Sequence, residues 1–205
     1  LPCKFLSKRH SLNFFTFLYS YGVVLPLIPI KTNTIEAINT QHTIPSFAWK
    51  VSTQSVKGKF DRKATAHLPD EIVMRLANGE DVEYEGEIME SRNYRDSSKP
   101  GLSVIISGDT AEQAIESECD LLIHESTFLD EHSDIANEHL HSTASGAART
   151  AVECNAKHLA LTHFSARLES GEKSLIEANK IHSSVIALSD GDRVELKHGF
   201  ELNHM

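Results

Sequence analysis

The sequence predicts an α/β fold on three observations. From residue 102 onward, short apolar runs alternate with helical patterns, and the runs center on residues 104–106, 121–123 and 159–161. Two of them stop on a single polar residue. Val104-Ile105-Ile106-Ser107-Gly108-Asp109-Thr110 ends on a carboxylate, and Leu159-Ala160-Leu161-Thr162-His163-Phe164-Ser165 ends on an imidazole. Residues 143–153 place Ala144, Ala147, Ala148, Ala151 and Val152 on one helical face, and the small side chains imply close packing on a sheet.

The elements follow in order. Residues 1–30 read as a short helix near Leu6 and then one or two buried strands. Residues 34–39 and 46–51 read as strands, with Gln41-His42-Thr43 between them. Residues 57–63 form a basic loop. Pro69-Asp70-Glu71 opens a helix with apolar Ile72, Val73 and Leu76, and Gly79 closes it. Residues 82–89 read as a hairpin turning at Glu85-Gly86, followed by a polar loop over 91–101. Then come strand 102–106, helix 111–117, strand 120–123, helix 143–153, strand 158–162 and helix 171–182, the last capped by Ser170. Two short strands around Asp190-Gly191-Asp192 end the chain, and no internal repeat is present.

The length of 205 residues suits a single domain. A formal charge of −9 excludes binding of nucleic acid through bulk charge, so any such contact needs a local basic patch. Cys3, Cys119 and Cys154 are widely spaced and suggest neither a disulfide framework nor a zinc knuckle; a reducing cytoplasmic setting is the simplest. The apolar stretch 14–30 is short for a membrane span and is broken by Gly22, Pro26 and Pro29, so it reads as buried strand and no membrane partner is expected.

Each polar residue has an ordinary explanation when taken alone. Asp109 can cap a helix starting near Ala111. His163 can be a hydrogen-bonded core histidine, and His42 a loop residue. His141 precedes a helix start that Ser142 or Thr143 already caps. Glu125, after the buried run 121–123, needs a partner. Together they point elsewhere, because strands of an α/β array run parallel and collect their C-terminal ends at one edge. His nitrogen and Asp oxygen are zinc ligands, and paired ions of that kind drive phosphodiester hydrolysis.

Five motifs resemble the ribonuclease Z family, tRNA 3′-processing endonucleases of the metallo-β-lactamase superfamily. They are Gln41-His42-Thr43-Ile44-Pro45-Ser46-Phe47, Ser107-Gly108-Asp109-Thr110, residues 122–128 (LIHESTF), His141-Ser142-Thr143-Ala144, and residues 161–167 (LTHFSAR). The resemblance implies a four-layer αββα sandwich, of which this chain covers the C-terminal part. It implies Asp109 as a carboxylate bridging two zinc ions, with His163 and His42 completing one site each; manganese suits the same ligands. His141 would face the scissile phosphate and donate a proton to the leaving oxygen or stabilize its charge, and Glu125 would orient His141 and raise its basicity. Ser165 and Arg167 would grip phosphate or ribose. An arm over residues 55–80, with Lys57 and Lys59, would hold precursor tRNA, and a homodimer is expected.

The family's H-x-H-x-D-H signature is absent from the chain, and the first residue is Leu1 rather than Met. The sequence is therefore expected to be a fragment starting a few residues downstream of that motif. With His42, Asp109 and His163 as its only metal ligands, it is expected to bind metal weakly or singly and to be inactive alone. The acidic Asp70 and Glu71 stand where the family's arm is Gly-Pro-rich. That divergence supports an alternative, another hydrolase of this fold acting on small phosphodiesters or sulfate esters. A second alternative is a non-catalytic scaffold half, against which the retention of Asp109, His141 and His163 argues.

Overall fold

The computed structural model describes residues 11–15, 33–168, 170–197 and 201–205. The expected helix near Leu6 and most of the apolar stretch 14–30 lie outside them. The chain divides into two compact units, one formed by Leu1–Thr53 with Leu102–Met205 and the other by Gln54–Gly101.

The first unit holds a six-stranded sheet in the order β2-β3-β6-β7-β8-β9. Its strands are β2 (Asn33–Thr40), β3 (Ser46–Thr53), β6 (Ser103–Ile106), β7 (Leu121–Glu125), β8 (His158–Thr162) and β9 (Val185–Ala187). β6 to β9 are mutually parallel, while β3 runs antiparallel to β6 with Trp49 opposite Ile106. A three-stranded antiparallel sheet orders β1 (Ser11–Phe15), β10 (Arg193–Lys197) and β11 (Leu202–His204).

Alternation along the strands sends side chains to two cores. Ile105, Leu122, Leu159 and Leu161 pack with Ala147, Ala148 and Ala151 of α3 (Ala144–Glu153) and Ala178 of α4 (Glu172–Ala178). Val104, Leu121, Ile123 and Ala160 pack with Val194 and Leu196 of the smaller sheet. The order is helices, sheet, sheet, which supplies three of the four expected layers from the described residues. The alanine face of α3 lets it approach closely. Each fully buried leucine on the strands contributes about 1.5–3 kcal/mol. Among the described residues no helix is long and apolar enough to cross a membrane.

Two sequence expectations need correction. No helix forms over 111–117. Gln113 sits at φ 58°, outside right-handed helix, and its N–H is taken by the Thr150 hydroxyl. The helix predicted over 171–182 is only Glu172–Ala178, and Gly171 rather than Ser170 occupies its N-cap. The two expected strands around Asp190-Gly191-Asp192 form as β9 and β10, which belong to different sheets. The structure also adds α2 (Ser133–His139), which buries only Ala136 and so leaves no periodic apolar pattern to read.

The second unit is built on α1 (Asp70–Asn78) and the hairpin of β4 (Val82–Tyr84) and β5 (Glu87–Met89). Leu68, Leu76 and Val82 form its core. Gly79, at φ 95°, ends α1 in the left-handed conformation that glycine tolerates. The Arg95 guanidinium caps the same helix end through the Leu76 and Ala77 carbonyls at 3.1 and 2.8 Å.

Candidate functional site

The topology delivers the predicted polar residues to one edge of the larger sheet. β6, β7 and β8 are parallel neighbors, so Asp109 beyond β6, Glu125 at the end of β7 and His163 beyond β8 emerge together. Antiparallel β3 brings the start of that strand, and the turn holding His42, to the same edge. Ser46 Oγ donates to the Asp109 carbonyl at 2.8 Å, and Ala111 N–H donates to the Gln41 carbonyl at 2.8 Å. Two backbone conformations allow the turns. Gly108 has φ 62°, and a Cβ there would stand 3.2 Å from the Phe47 carbonyl oxygen. His163 has φ 55°, which a non-glycine residue adopts at a cost of about 1–3 kcal/mol.

His141 arrives from the loop between α2 and α3. Leu140 turns the chain at φ 55°, and Thr143 caps α3 by accepting from Gly146 N–H at 3.0 Å. The His141 ring lies edge-on to His42, with centroids 4.8 Å apart, and stacks on His163 at 5.7 Å.

Glu125 is buried with four donors around its carboxylate. Oε1 accepts from His141 Nδ1 at 2.6 Å and Thr110 N–H at 2.9 Å. Oε2 accepts from the Thr127 hydroxyl at 2.5 Å and Thr127 N–H at 3.1 Å. Burial pushes this carboxyl up, but the bonds from His141 and Thr127, the imidazole charge and the Thr110 N–H outweigh burial and hold it below the ordinary carboxylate value. The Glu125 hydrogen bond raises His141 above the ordinary imidazole value against partial desolvation, and the charges of Glu125 and Asp109 add to it.

The three site imidazoles share one arrangement. Nδ1 of His42 lies 3.0 Å from the Leu140 carbonyl, Nδ1 of His141 bonds Glu125, and Nδ1 of His163 lies 2.8 Å from Thr127 Oγ1. A neutral ring anchored through Nδ1–H keeps its lone pair on Nε2, the usual state of a metal-ligating histidine. Donor atoms of His42, Asp109 and His141 lie within 4.8 Å of one another. His163 Nε2 is 3.6 Å from Asp109 Oδ1, too far for a hydrogen bond. A lone pair facing a carboxylate at that distance repels unless a cation lies between them. The gap between His163 Nε2 and Asp109 Oδ1 is thus a candidate cation position, and His42, Asp109 and His141 form a second group of converging donors beside it. Glu125, His141 and His163 also form a close trio, but there the Thr127 hydroxyl already links the carboxylate and the rings.

The remaining candidates are placed differently. His124 is fully buried; burial holds it below the ordinary imidazole value, and Nδ1 meets the Glu125 carbonyl at 2.7 Å, so it does not join the converging donors. Ser165 donates its N–H to the Thr127 carbonyl at 3.2 Å, its hydroxyl accepts from Arg167 N–H at 3.3 Å, and the Arg167 side chain is exposed. Lys57 and Lys59 belong to the second unit. Lys57 Nζ donates to the Asn78 carbonyl at 2.9 Å, completing the end of α1, and Lys59 is exposed. Thr127 has no assigned role in the sequence reading; its signal there is its place in the LIHESTF motif, two residues after Glu125.

A strand-edge cluster of His and Asp donors backed by a buried carboxylate gives this α/β protein a candidate metal site. No family model matches the chain. Curated relatives do. A ribonuclease Z of Nitrosopumilus maritimus is 34% identical over 171 residues, 80% of this chain and 57% of that protein. A ribonuclease Z of Ignicoccus hospitalis is 34% identical over 201 residues, 93% of this chain and 66% of that protein. A solved metallo-β-lactamase fold protein of Bacillus subtilis aligns with a TM-score of 0.48 at 16% identity, covering 84% of this chain and 49% of that one. Over most of its length the chain is similar to ribonuclease Z proteins. It spans 56%, 57% and 58% of the length of three of the curated relatives it matches.

Proposed function

We propose that these residues serve a zinc-dependent endoribonuclease that removes 3′ trailers from precursor tRNA in the cytoplasm, working as a homodimer. The observation that carries the reading is the set of Nδ1-anchored imidazoles converging with Asp109 on one sheet edge. His42, Asp109 and His163 would hold metal, Asp109 bridging two zinc ions in a complete site; manganese fits the same donors. When bound, such ions polarize a phosphodiester and make water nucleophilic at neutral pH. Glu125 keeps His141 oriented through Nδ1 and favors its imidazolium form, from which Nε2 gives a proton to the leaving O3′, so the tRNA departs with a 3′-hydroxyl. Ser165 and Arg167 steady phosphate or ribose. The segment 55–80 acts as a tRNA-holding arm with Lys59 and Lys57, the latter also capping α1.

The test pairs metal with substrate. Titrated with zinc, the 205-residue chain should take up no more than one ion tightly, with uptake lost in Asp109→Ala. Two stoichiometric ions, or uptake unaffected by the substitution, would refute the ligand set. In a protein of the relatives' full length carrying these residues, trailer cleavage should disappear in His141→Ala. Turnover of a chromogenic phosphodiester without pre-tRNA cleavage would favor the small-substrate hydrolase, and a cleavage rate unchanged by Asp109→Ala would favor a scaffold.

A further inference from the structure

Thr127 connects the two halves of the site through one oxygen. Its Oγ1 is 2.5 Å from Glu125 Oε2, 2.8 Å from His163 Nδ1 and 3.3 Å from His141 Nδ1. A hydroxyl has one hydrogen to donate. Glu125 takes four bonds from surrounding donors and can only accept while ionized, so that hydrogen goes to Oε2. Toward His163 the same oxygen is then an acceptor, and the ring must supply the hydrogen from Nδ1. His141 Nδ1–H is already committed to Glu125 Oε1 at 2.6 Å. The Thr127 backbone holds the hydroxyl in place from both sides, its N–H bonded to Glu125 Oε2 at 3.1 Å and its carbonyl to Ser165 N–H at 3.2 Å. Ser165 lies two residues beyond His163, on the loop that carries His163 at φ 55°.

We infer that Thr127 is a positioning residue that locks His163 in its Nδ1–H tautomer, frees Nε2 for a metal beside Asp109, and ties that ligand to the Glu125–His141 pair. This rests on the metal-center reading above. The hydroxyl does what a carboxylate or carbonyl does behind other metal-binding histidines, with one difference. It passes its own hydrogen to Glu125, so the metal-side ring and the acid–base pair share one chain of hydrogen bonds. Loss of the hydroxyl leaves His163 free to carry its hydrogen on Nε2, where it blocks the ligand lone pair.

The test compares Thr127→Val, which keeps the shape without the hydroxyl, with Thr127→Ser, which keeps the hydroxyl. In the metal-free chain, ring-nitrogen NMR at a pH where imidazoles are neutral reports the tautomer, the His163 signals being assigned by their loss in His163→Gln. Wild type and Thr127→Ser should show the Nδ1–H form, and Thr127→Val a mixture or the Nε2–H form. Zinc affinity of the chain should fall about 10–100-fold in Thr127→Val and recover to within about threefold in Thr127→Ser. Retention of the Nδ1–H form in Thr127→Val overturns the proposal, as does a serine variant as impaired as the valine one. If wild type takes up no zinc, the metal reading fails, and the tautomer comparison still decides the role of Thr127. Should Thr127→Val not fold, Thr127→Ala provides the same comparison.

Discussion

Replacing Glu125 by glutamine puts an NH2 group where every neighbor is a donor. Whichever way the amide turns, it meets a backbone N–H, that of Thr110 at the Oε1 position or that of Thr127 at the Oε2 position. One buried donor is left unpaired, which costs about 1–3 kcal/mol, and the charge-assisted bond to His141 disappears, worth about 1.5–3 kcal/mol. The sum is about 3 kcal/mol or more in a carboxylate whose side chain is 2% exposed. At about 2–4 °C per kcal/mol for a chain of this size, the unfolding midpoint should drop by about 6–12 °C. Trp49 is the only tryptophan and lies on β3, in the unit that holds the site, so its fluorescence during thermal unfolding of the metal-free protein reads the effect there. A drop of less than about 2 °C would show that the four bonds do not stabilize the folded chain and would refute the reasoning.

Two further outcomes follow from the same geometry. The Glu125 carboxyl is held below its ordinary value, so its contribution is present above the unfolded pKa and lost as pH falls through the lower folded one. His141 is raised, so its contribution is full below the unfolded pKa and lost as pH rises through the higher folded one. The stability gap between metal-free wild type and Glu125→Gln should therefore be widest between about pH 4.3 and 6.5 and narrow on either side; a gap that keeps widening above that window contradicts the assignment. Gly108→Ala forces a side chain into φ 62° with its Cβ 3.2 Å from the Phe47 carbonyl. It should cost about 1–2 kcal/mol and weaken zinc uptake by displacing Asp109; an unchanged midpoint and affinity would show that the turn tolerates a side chain.

The elements read well from sequence are those whose signal is local. The hairpin turning at Glu85-Gly86 and the helix closed by Gly79 have turn residues at the positions that need positive φ. Strands β6, β7 and β8 are apolar runs buried on both faces, and α3 carries its alanine stripe. The misread elements are those where distant groups outweigh local preference. Residues 111–117 have a helical composition, yet the hydroxyl of Thr150, 37 positions away, takes the Gln113 N–H.

By itself the sequence pointed to the α/β class, to a resemblance to ribonuclease Z and to five candidate side chains, because strands followed by Asp109, Glu125 and His163 keep that pattern in linear order and His42 and His141 sit in motifs beside them. Only the tertiary structure decided how those side chains are held. His42 is anchored by a carbonyl 98 positions away, and His163 by a hydroxyl 36 positions away. Which ring nitrogen is free for a metal depends on what the other one bonds. Those partners meet only when β3, β6, β7 and β8 bring their ends to one edge.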